Sequence, residues 1–227
     1  MKKYLKEIEH SLKVRSKPKK SDADFQRLGM RVPEVRKTLK DTSYSFYSFK
    51  RREVTEVWDQ VWKTSSHFEI MSMALYFYQH EPVSKANFQK VKSWVDRVSC
   101  WGHSDDLSKI YANIVEKNPE WILPTLRKWN KSKNPWKRRQ SVVSLIEYAS
   151  KRKTVLPFDY LICFIENLLH DTEYYVQKGL GWTLREIYNV YPKRTLKFIE
   201  SNLSNINPIA YSAATEKVKS KEKGSIV

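Results

Sequence analysis

Apolar residues recur along the chain at intervals of three and four, the spacing that places them on one face of an α-helix. This pattern predicts twelve helices, and no stretch shows the alternation of apolar and polar residues that is typical of a strand. The predicted helices run near residues 2–14, 33–41, 51–63, 67–79, 84–98, 104–117, 119–130, 135–151, 157–169, 173–189, 192–204 and 207–217.

The helices of the second half of the chain form a repeat. Three prolines, spaced 38 and 35 residues apart, each open an apolar helix: Pro119, Pro157 and Pro192. A second helix start follows each of them after 14 to 16 residues, at Pro135, Asp171 and Asn207. Helix pairs with this period are typical of HEAT-type solenoids, in which each pair buries its apolar face against the next.

We therefore predict an all-α fold, an α-α superhelix (solenoid) of about six HEAT-like helical pairs. The prediction places residues 1–218 in a single HEAT-like domain and leaves residues 219–227 as a basic, flexible tail. An irregular helical bundle is the alternative architecture.

The charge of the chain favours a polyanionic partner. Its formal net charge is +17 and its pI is near 9.7, which favours nucleic acid ahead of a membrane surface. The stretch "LRKWNKSKNPWKRR", residues 126–139, holds seven Lys or Arg and no acid across a predicted helix junction. We expect phosphate contacts from its cations, and a solvated loop is the alternative; the candidates are Lys131, Lys133, Lys137 and Arg138.

The sequence offers no support for a cofactor or a metal site. Cys100 and Cys163 lack CxxC partners, and we interpret both as small buried residues in a reducing, cytoplasmic setting. No apolar run reaches the roughly 18 residues of a membrane span, and the N-terminus does not resemble a secretory signal. Phosphate-loop, nucleophile-elbow, zincin and dinucleotide motifs are absent, and His103 has no second ligand nearby.

The segment "YYVQKGLGWTLREIY" carries two helical stripes. Val176, Leu180, Leu184 and Ile187 form a stripe that we predict to be core, and Gly179 and Gly181 indicate close approach of a ligand or a neighbouring helix. The second stripe consists of Lys178, Trp182 and Arg185. A tryptophan between two cations on a face away from the core suggests a contact with an anionic partner; the alternative is an indole that fills a groove between repeats.

Arg138 and Arg139 lie near the start of the helix predicted from Pro135. A guanidinium beside a helix N-terminus can bind an anion, or it can cover the helix end or pair with an acid.

The stretch "SCWGHSDDLSKIYANI", residues 99–114, places Trp101 ahead of two adjacent acids. We predict Ser104 as the N-cap, with Asp105 and Asp106 in the first turn, where the helix dipole favours negative charge. This accounts for both acids but not for Trp101.

Together these motifs resemble the AlkD-like family of DNA alkylation repair glycosylases. The resemblance is strongest between Trp94 and Ile199 and includes Trp101-x-x-x-Asp105, "NPWKRR" with Arg139 and "VQKGLGWTLRE" with Trp182. It extends weakly to "LGMRVPEVRKTLK", residues 28–40. Gly102 stands where the family pattern has an acid, and no tyrosine between residues 13 and 36 matches the one often found in its N-terminal helices.

The resemblance implies a DNA glycosylase that excises positively charged N3- and N7-alkylpurines from double-stranded DNA without flipping the base into a pocket. It implies that Trp101 and Trp182 lie against the deoxyribose, that Asp105 stabilises the sugar cation or positions a water, and that Arg139 holds a phosphate. Lys178, Arg185 and the four cations of the 131–138 segment named above would add DNA contacts.

We further expect a cytoplasmic, nucleoid-associated monomer that works without a lyase step, a metal ion or another cofactor. Two alternatives stay open: a non-catalytic HEAT-like protein that binds DNA structures, and a HEAT-type scaffold for an acidic protein.

Overall fold

The computed structural model describes residues 2–12 and 25–218, which are almost entirely helical. Twelve α-helices occur in these residues: α1 Lys2–Ser11, α2 Val32–Asp41, α3 Arg51–Thr64, α4 Phe68–Gln79, α5 Lys85–Val91, α6 Trp101–Lys117, α7 Pro119–Asn130, α8 Pro135–Val143, α9 Phe158–Glu166, α10 Tyr174–Val190, α11 Pro192–Ser201 and α12 Pro208–Ala214. Short 3₁₀ helices occupy Ser45–Ser48, Trp94–Arg97 and Ala149–Lys151. None of the described helices is both long and apolar enough to cross a bilayer.

The all-α prediction is confirmed for the described residues. Outside the helices, their β-structure is limited to an isolated bridge between Gln26 and His67. Pro119 and Pro192 each begin a helix, as the repeat predicts, and Pro157 directly precedes α9.

The chain divides into two compact units, Met1–Ile110 and Tyr111–Val227. Helix α6 begins in the first unit and ends in the second. The single domain over residues 1–218 stays a prediction. The predicted tail, residues 219–227, and the basic N-terminal stretch at residues 13–20 lie outside the described residues.

Aromatic side chains dominate the core of the first unit. Trp58, Trp62 and Trp94 are fully buried, and the rings of Trp62 and Trp94 stack with centroids 5.0 Å apart. The buried carboxylate of Asp59 accepts a 2.7 Å hydrogen bond from Nε1 of Trp94 and pairs with Lys63 at 2.6 Å. These partners compensate the charge, which would otherwise be costly to bury.

Helix α10 is the central helix of the second unit, and it packs against α8, α9, α11 and α12. The predicted core stripe of Val176, Leu180, Leu184 and Ile187 has no exposed surface, so that prediction is confirmed. Helices α7 and α8 also pack together as consecutive partners, as expected for a helical pair.

The two glycines of α10 mark places where neighbouring helices approach closely. A Cβ at Gly179 would lie 2.8 Å from Nη1 of Arg139 and 3.0 Å from Cγ1 of Val143, both on α8. A Cβ at Gly181 would lie 2.4 Å from the carbonyl oxygen of Ala210 on α12. Of the two explanations offered by the sequence, packing against neighbouring helices accounts for both glycines.

The predicted helix over residues 135–151 is wrong in its second half, because α8 ends at Val143. The chain then turns through residues 144–148 before the 3₁₀ helix that begins at Ala149. A buried ion pair between Glu147 and Arg152, 2.7 Å long, and a hydrogen bond from the Ala149 N–H to Glu186 hold this turn. Tertiary contacts thus override the local helical preference.

The helix start that the repeat places at Asp171 is displaced, because α10 begins at Tyr174, next to the start near residue 173 that the helical periodicity predicts. The Asp171 carboxylate instead accepts a hydrogen bond from the Glu173 N–H and pairs with Arg138.

The two cysteines differ in exposure. Cys100 is buried, as predicted, but Cys163 is exposed on α9, so its interpretation as a buried residue is wrong. Both are free thiols.

Candidate functional site

Helix α6 begins with Trp101, not after Ser104. The predicted N-cap is therefore wrong: Ser104 is fully buried within the first turn, and Asp105 and Asp106 fall in the second turn. The Trp101 ring is 58% exposed, more than any other large hydrophobic side chain among the described residues. Trp101 and the half-buried Asp105 are four residues apart and share one face of the helix.

Asp106 belongs to a polar network within the first unit. Its Oδ1 lies 2.9 Å from Nζ of Lys109, 3.6 Å from Nη2 of Arg36 and 3.3 Å from Nε2 of Gln79. Burial and the nearby Asp106 charge raise the pKa of Tyr76. The Asp106 side chain is therefore engaged in packing α6 against α2 and α4.

His103 is a core residue. Its imidazole stacks on the Phe68 ring with centroids 4.1 Å apart, and Nε2 lies 3.1 Å from the Phe68 carbonyl oxygen and 3.2 Å from Oγ of Ser72. Burial lowers the pKa of His103 to about 4. Among the described residues, no group of three or more His, Cys, Asp or Glu side chains could hold a metal ion.

Gly102 faces the same aromatic stack. A Cβ at this position would lie 3.3 Å from Cζ of Phe68, which is closer than an ordinary van der Waals contact. A carboxylate side chain here would therefore start against the Phe68 ring, so the glycine at this position fits the local packing.

Arg139 lies in the second unit and is only 4% exposed. Its Nη1 donates a 2.6 Å hydrogen bond to the Tyr175 carbonyl oxygen, and its aliphatic stem passes beneath Gly179 of α10. The guanidinium thus lies beside the N-terminal part of α10. A phosphate contact from Arg139 stays a prediction.

The stripe of Lys178, Trp182 and Arg185 lies along α10 away from its buried face. Lys178 is exposed, and Trp182 and Arg185 are half-buried. Arg185 pairs with Glu216, which has an exposed side chain. Trp182 meets the ring of Tyr148 edge to face, with centroids 5.6 Å apart.

The cations of residues 126–139 do not form one continuous surface. Arg138 makes a two-pronged ion pair with Asp171, at 2.5 and 3.2 Å, and donates to the carbonyl oxygens of Ser132 and Lys133. This is the acid-pairing alternative considered for Arg138. Lys131 and Lys133 are exposed, and Lys137 is half-buried.

Three cations of the run line a separate pocket between α7 and α9. The pocket has a volume of about 490 Å³, and its basic residues are Arg127, Lys128 and Lys131. Lys131 therefore lies beside side chains of α7 and α9. Arg139 and Trp182, with which the sequence grouped it, belong to α8 and α10.

Sequence reasoning missed two groups of aromatic side chains. Tyr148 contacts Trp182, but it falls in the last turn of the helix predicted over residues 135–151, and no sequence signal marks it. Trp136 stacks on Tyr175 at 5.3 Å, and Tyr174 and Tyr175 are both exposed at the start of α10. The paired tyrosines ahead of the core stripe were the available signal for this second group.

The fold and these side chains define a class of protein: an all-α protein built from packed helical pairs, with an exposed indole one turn before a carboxylate. A sequence model of the DNA alkylation repair enzyme family matches residues 1–218, and the chain belongs to that family.

Solved structures agree with this assignment at the level of the fold. A protein from Enterococcus faecalis, described as a predicted DNA alkylation repair enzyme, superposes with a TM-score of 0.71 at 17% identity over 96% of this chain and 94% of that one. AlkD2 from Streptococcus mutans superposes with a TM-score of 0.63 at 17% identity over 96% and 99% of the two chains. No curated protein gives a significant sequence match.

Proposed function

We propose that this protein is a DNA glycosylase that hydrolyses the N-glycosidic bond of positively charged N3- and N7-alkylpurines in duplex DNA. The observation that carries the proposal is the exposed Trp101 ring, which shares a helix face with Asp105 in a chain of the DNA alkylation repair family. More than half of the Trp101 surface is exposed, so its indole is available for contact with a ligand.

The chemistry requires little acid catalysis, because an alkylated purine that carries a positive charge is already a good leaving group. When the bond between C1′ and the purine nitrogen breaks, its electron pair neutralises the base, and the sugar becomes an oxocarbenium-like cation. Water then adds to C1′ and loses a proton, which leaves an abasic sugar and a free neutral base.

In this proposal Asp105 stabilises the sugar cation or positions the attacking water. A carboxylate about 4 Å from the cation, at an effective dielectric constant of ~20, interacts with it by roughly 4 kcal/mol. If most of this interaction develops in the transition state, it corresponds to about three powers of ten in rate.

The remaining residues of the proposed site act on the substrate around the bond. The indole faces of Trp101 and Trp182 are electron-rich and favour a nearby cation, so both suit contact with the deoxyribose. Arg139 is proposed to hold a phosphate beside the lesion. Lys178, Arg185, Lys131, Lys133 and Lys137 are proposed to neutralise further phosphates; Arg138, which is already paired with Asp171, would contribute least.

The proposal is tested by incubating the protein with methylated duplex DNA and measuring free 7-methylguanine and 3-methyladenine. We expect wild-type protein to release these bases and Asp105→Asn to release them at least about a hundredfold more slowly, with unchanged or tighter DNA binding.

The neighbouring acid is the matched control. Asp106→Asn removes a carboxylate charge at the adjacent position but leaves Asp105 intact, so it should lower stability and keep most of the base release. Wild-type protein that binds methylated DNA and releases no base would favour the non-catalytic binder. Equal rates for wild type and Asp105→Asn would remove Asp105 from the mechanism.

A further inference from the structure

Tyr148 has an unusual backbone conformation. Its φ of 45° is positive, and no other non-glycine residue among those described shares this property. The left-handed region is unfavourable for a bulky side chain, and residues held there often belong to functional sites. Glycine or asparagine would adopt this conformation with less strain.

Buried polar contacts on both sides hold Tyr148 in this conformation. Before it, the side chain of Glu147 pairs with Arg152 at 2.7 Å, and Nε of Arg152 donates to the Glu147 carbonyl oxygen at 2.8 Å. After it, the Ala149 N–H donates a 2.9 Å hydrogen bond to the buried carboxylate of Glu186 on α10. The strain is therefore maintained by the surrounding structure.

Burial of Tyr148 offsets the strain only in part. Tyr148 is 41% exposed, and its ring contacts two side chains: the Trp182 ring at 5.6 Å with an interplanar angle of 69°, and Nζ of Lys151 at 4.3 Å from the ring centroid. A half-buried indole on a helix surface can rotate about its side-chain bonds. The edge-to-face contact with a ring on a rigid turn restricts that rotation.

From this geometry we infer that Tyr148 is a positioning residue that fixes the plane of the Trp182 indole for contact with the sugar of the damaged nucleotide. The inference rests on the proposed glycosylase function. It assigns Tyr148 a role that acts through Trp182, and it explains why a strained tyrosine occupies a position better suited to glycine.

Three substitutions separate the ring from its hydroxyl group without adding backbone strain. Tyr148→Gly and Tyr148→Asn remove the ring and relieve the strain, while Tyr148→Phe keeps both. For Tyr148→Gly and Tyr148→Asn we expect an unchanged or higher unfolding temperature, DNA affinity within about twofold, and single-turnover base release slowed roughly tenfold. Tyr148→Phe should retain the wild-type rate.

A double-mutant cycle tests whether the effect passes through Trp182. If it does, Tyr148→Gly combined with Trp182→Ala releases base at the same rate as Trp182→Ala alone. Independent, multiplying losses would overturn the inference.

The other outcomes are equally decisive. Wild-type base release with no loss in Tyr148→Gly overturns the inference and leaves the proposed function standing. A clear drop in the unfolding temperature of both Tyr148→Gly and Tyr148→Asn shows a structural role instead. A slow Tyr148→Phe assigns the effect to the hydroxyl group, and absence of base release by the wild type overturns the proposed function and this inference together.

Discussion

His103 shows that the interior of the first unit disfavours protonation of a buried side chain. The ring is fully buried against Phe68 and Trp62, and its Nδ1 has no hydrogen-bond partner among the described residues. Protonation would therefore bury a charge together with an unsatisfied donor, and the positive charges of Arg27 and Arg97 add to this penalty. Burial is the largest cause of the depressed pKa.

The low pKa predicts that stability falls with acidification. Below pH 6.5 histidines of the unfolded chain bind a proton, whereas native His103 stays neutral until the pH approaches its pKa of about 4. Proton uptake thus favours unfolding within this window, by about 2–3 kcal/mol near pH 4.5, and this contribution becomes constant below pH 4. Urea unfolding of wild type and His103→Gln at pH 7 and pH 4.5 measures the difference.

The comparison with His103→Gln removes the contribution of carboxylates that titrate in the same range. Wild-type protein should lose more stability than the variant on acidification. An equal loss in the two proteins would show that His103 does not control the acid response.

The start of α6 and its two adjacent acids show which features of single residues could not be predicted from the sequence. The predicted helix start at Ser104 leaves Trp101 outside the helix, whereas α6 contains both Trp101 and Asp105, four residues apart. The sequence could not reveal the polar network around Asp106, because its partners Arg36 and Gln79 lie on α2 and α4, which are distant in sequence. Trp101 lies at the helix start, and Ser104, the predicted cap, is enclosed within α6.

At the level of elements, α10 is held by close contacts at its two glycines. Gly181 faces backbone atoms of α12, whereas Gly179 faces side chains of α8. Backbone atoms move less readily than the ends of side chains, so the two positions should respond differently to an added methyl group.

We predict that Gly181→Ala lowers the free energy of unfolding by about 1–3 kcal/mol, despite the ~1 kcal/mol that alanine gains over glycine within a helix. Gly179→Ala should cost less, because the Arg139 guanidinium can shift. Denaturant unfolding of both variants checks the order. A Gly181→Ala variant as stable as wild type would show that α12 moves away from α10 without penalty.

The boundary between α8 and the turn after it could not be predicted from the sequence. Apolar residues at 142, 143, 145, 146 and 149 continue the helical period, and all of them are buried as expected. The helix nevertheless ends at Val143, because Glu147 pairs with Arg152 and Glu186 receives the Ala149 N–H. The contact between Ala149 and Glu186, which are 37 residues apart, has no local signature in the sequence. The turn places Tyr148 against Trp182.

At the level of the whole molecule, the net charge of +17 predicts strongly salt-dependent binding of duplex DNA. If about five phosphates are neutralised, the affinity should fall roughly 10²- to 10³-fold between 50 and 200 mM salt. Fluorescence anisotropy with a labelled duplex measures this slope. A nearly flat response would favour the scaffold for an acidic protein.

Two side chains with the same formal charge provide a matched comparison within that experiment. Lys178 is exposed on α10, whereas Arg138 is paired with Asp171. Lys178→Gln should therefore reduce the slope of log affinity against log salt by about 0.9, and Arg138→Gln should leave it nearly unchanged. The reverse order would place the DNA contacts on the Arg138 side.

The difference in exposure between the two cysteines has a practical consequence. Cys163 is accessible on α9, whereas Cys100 is enclosed, and burial raises the pKa of the Cys100 thiol and suppresses its reactive thiolate form. A maleimide dye will therefore attach selectively to Cys163 in the native protein. The natural sequence already contains a single-site attachment point for following the protein on DNA by optical microscopy, on a different helix from those that carry Trp101, Asp105, Arg139 and Trp182.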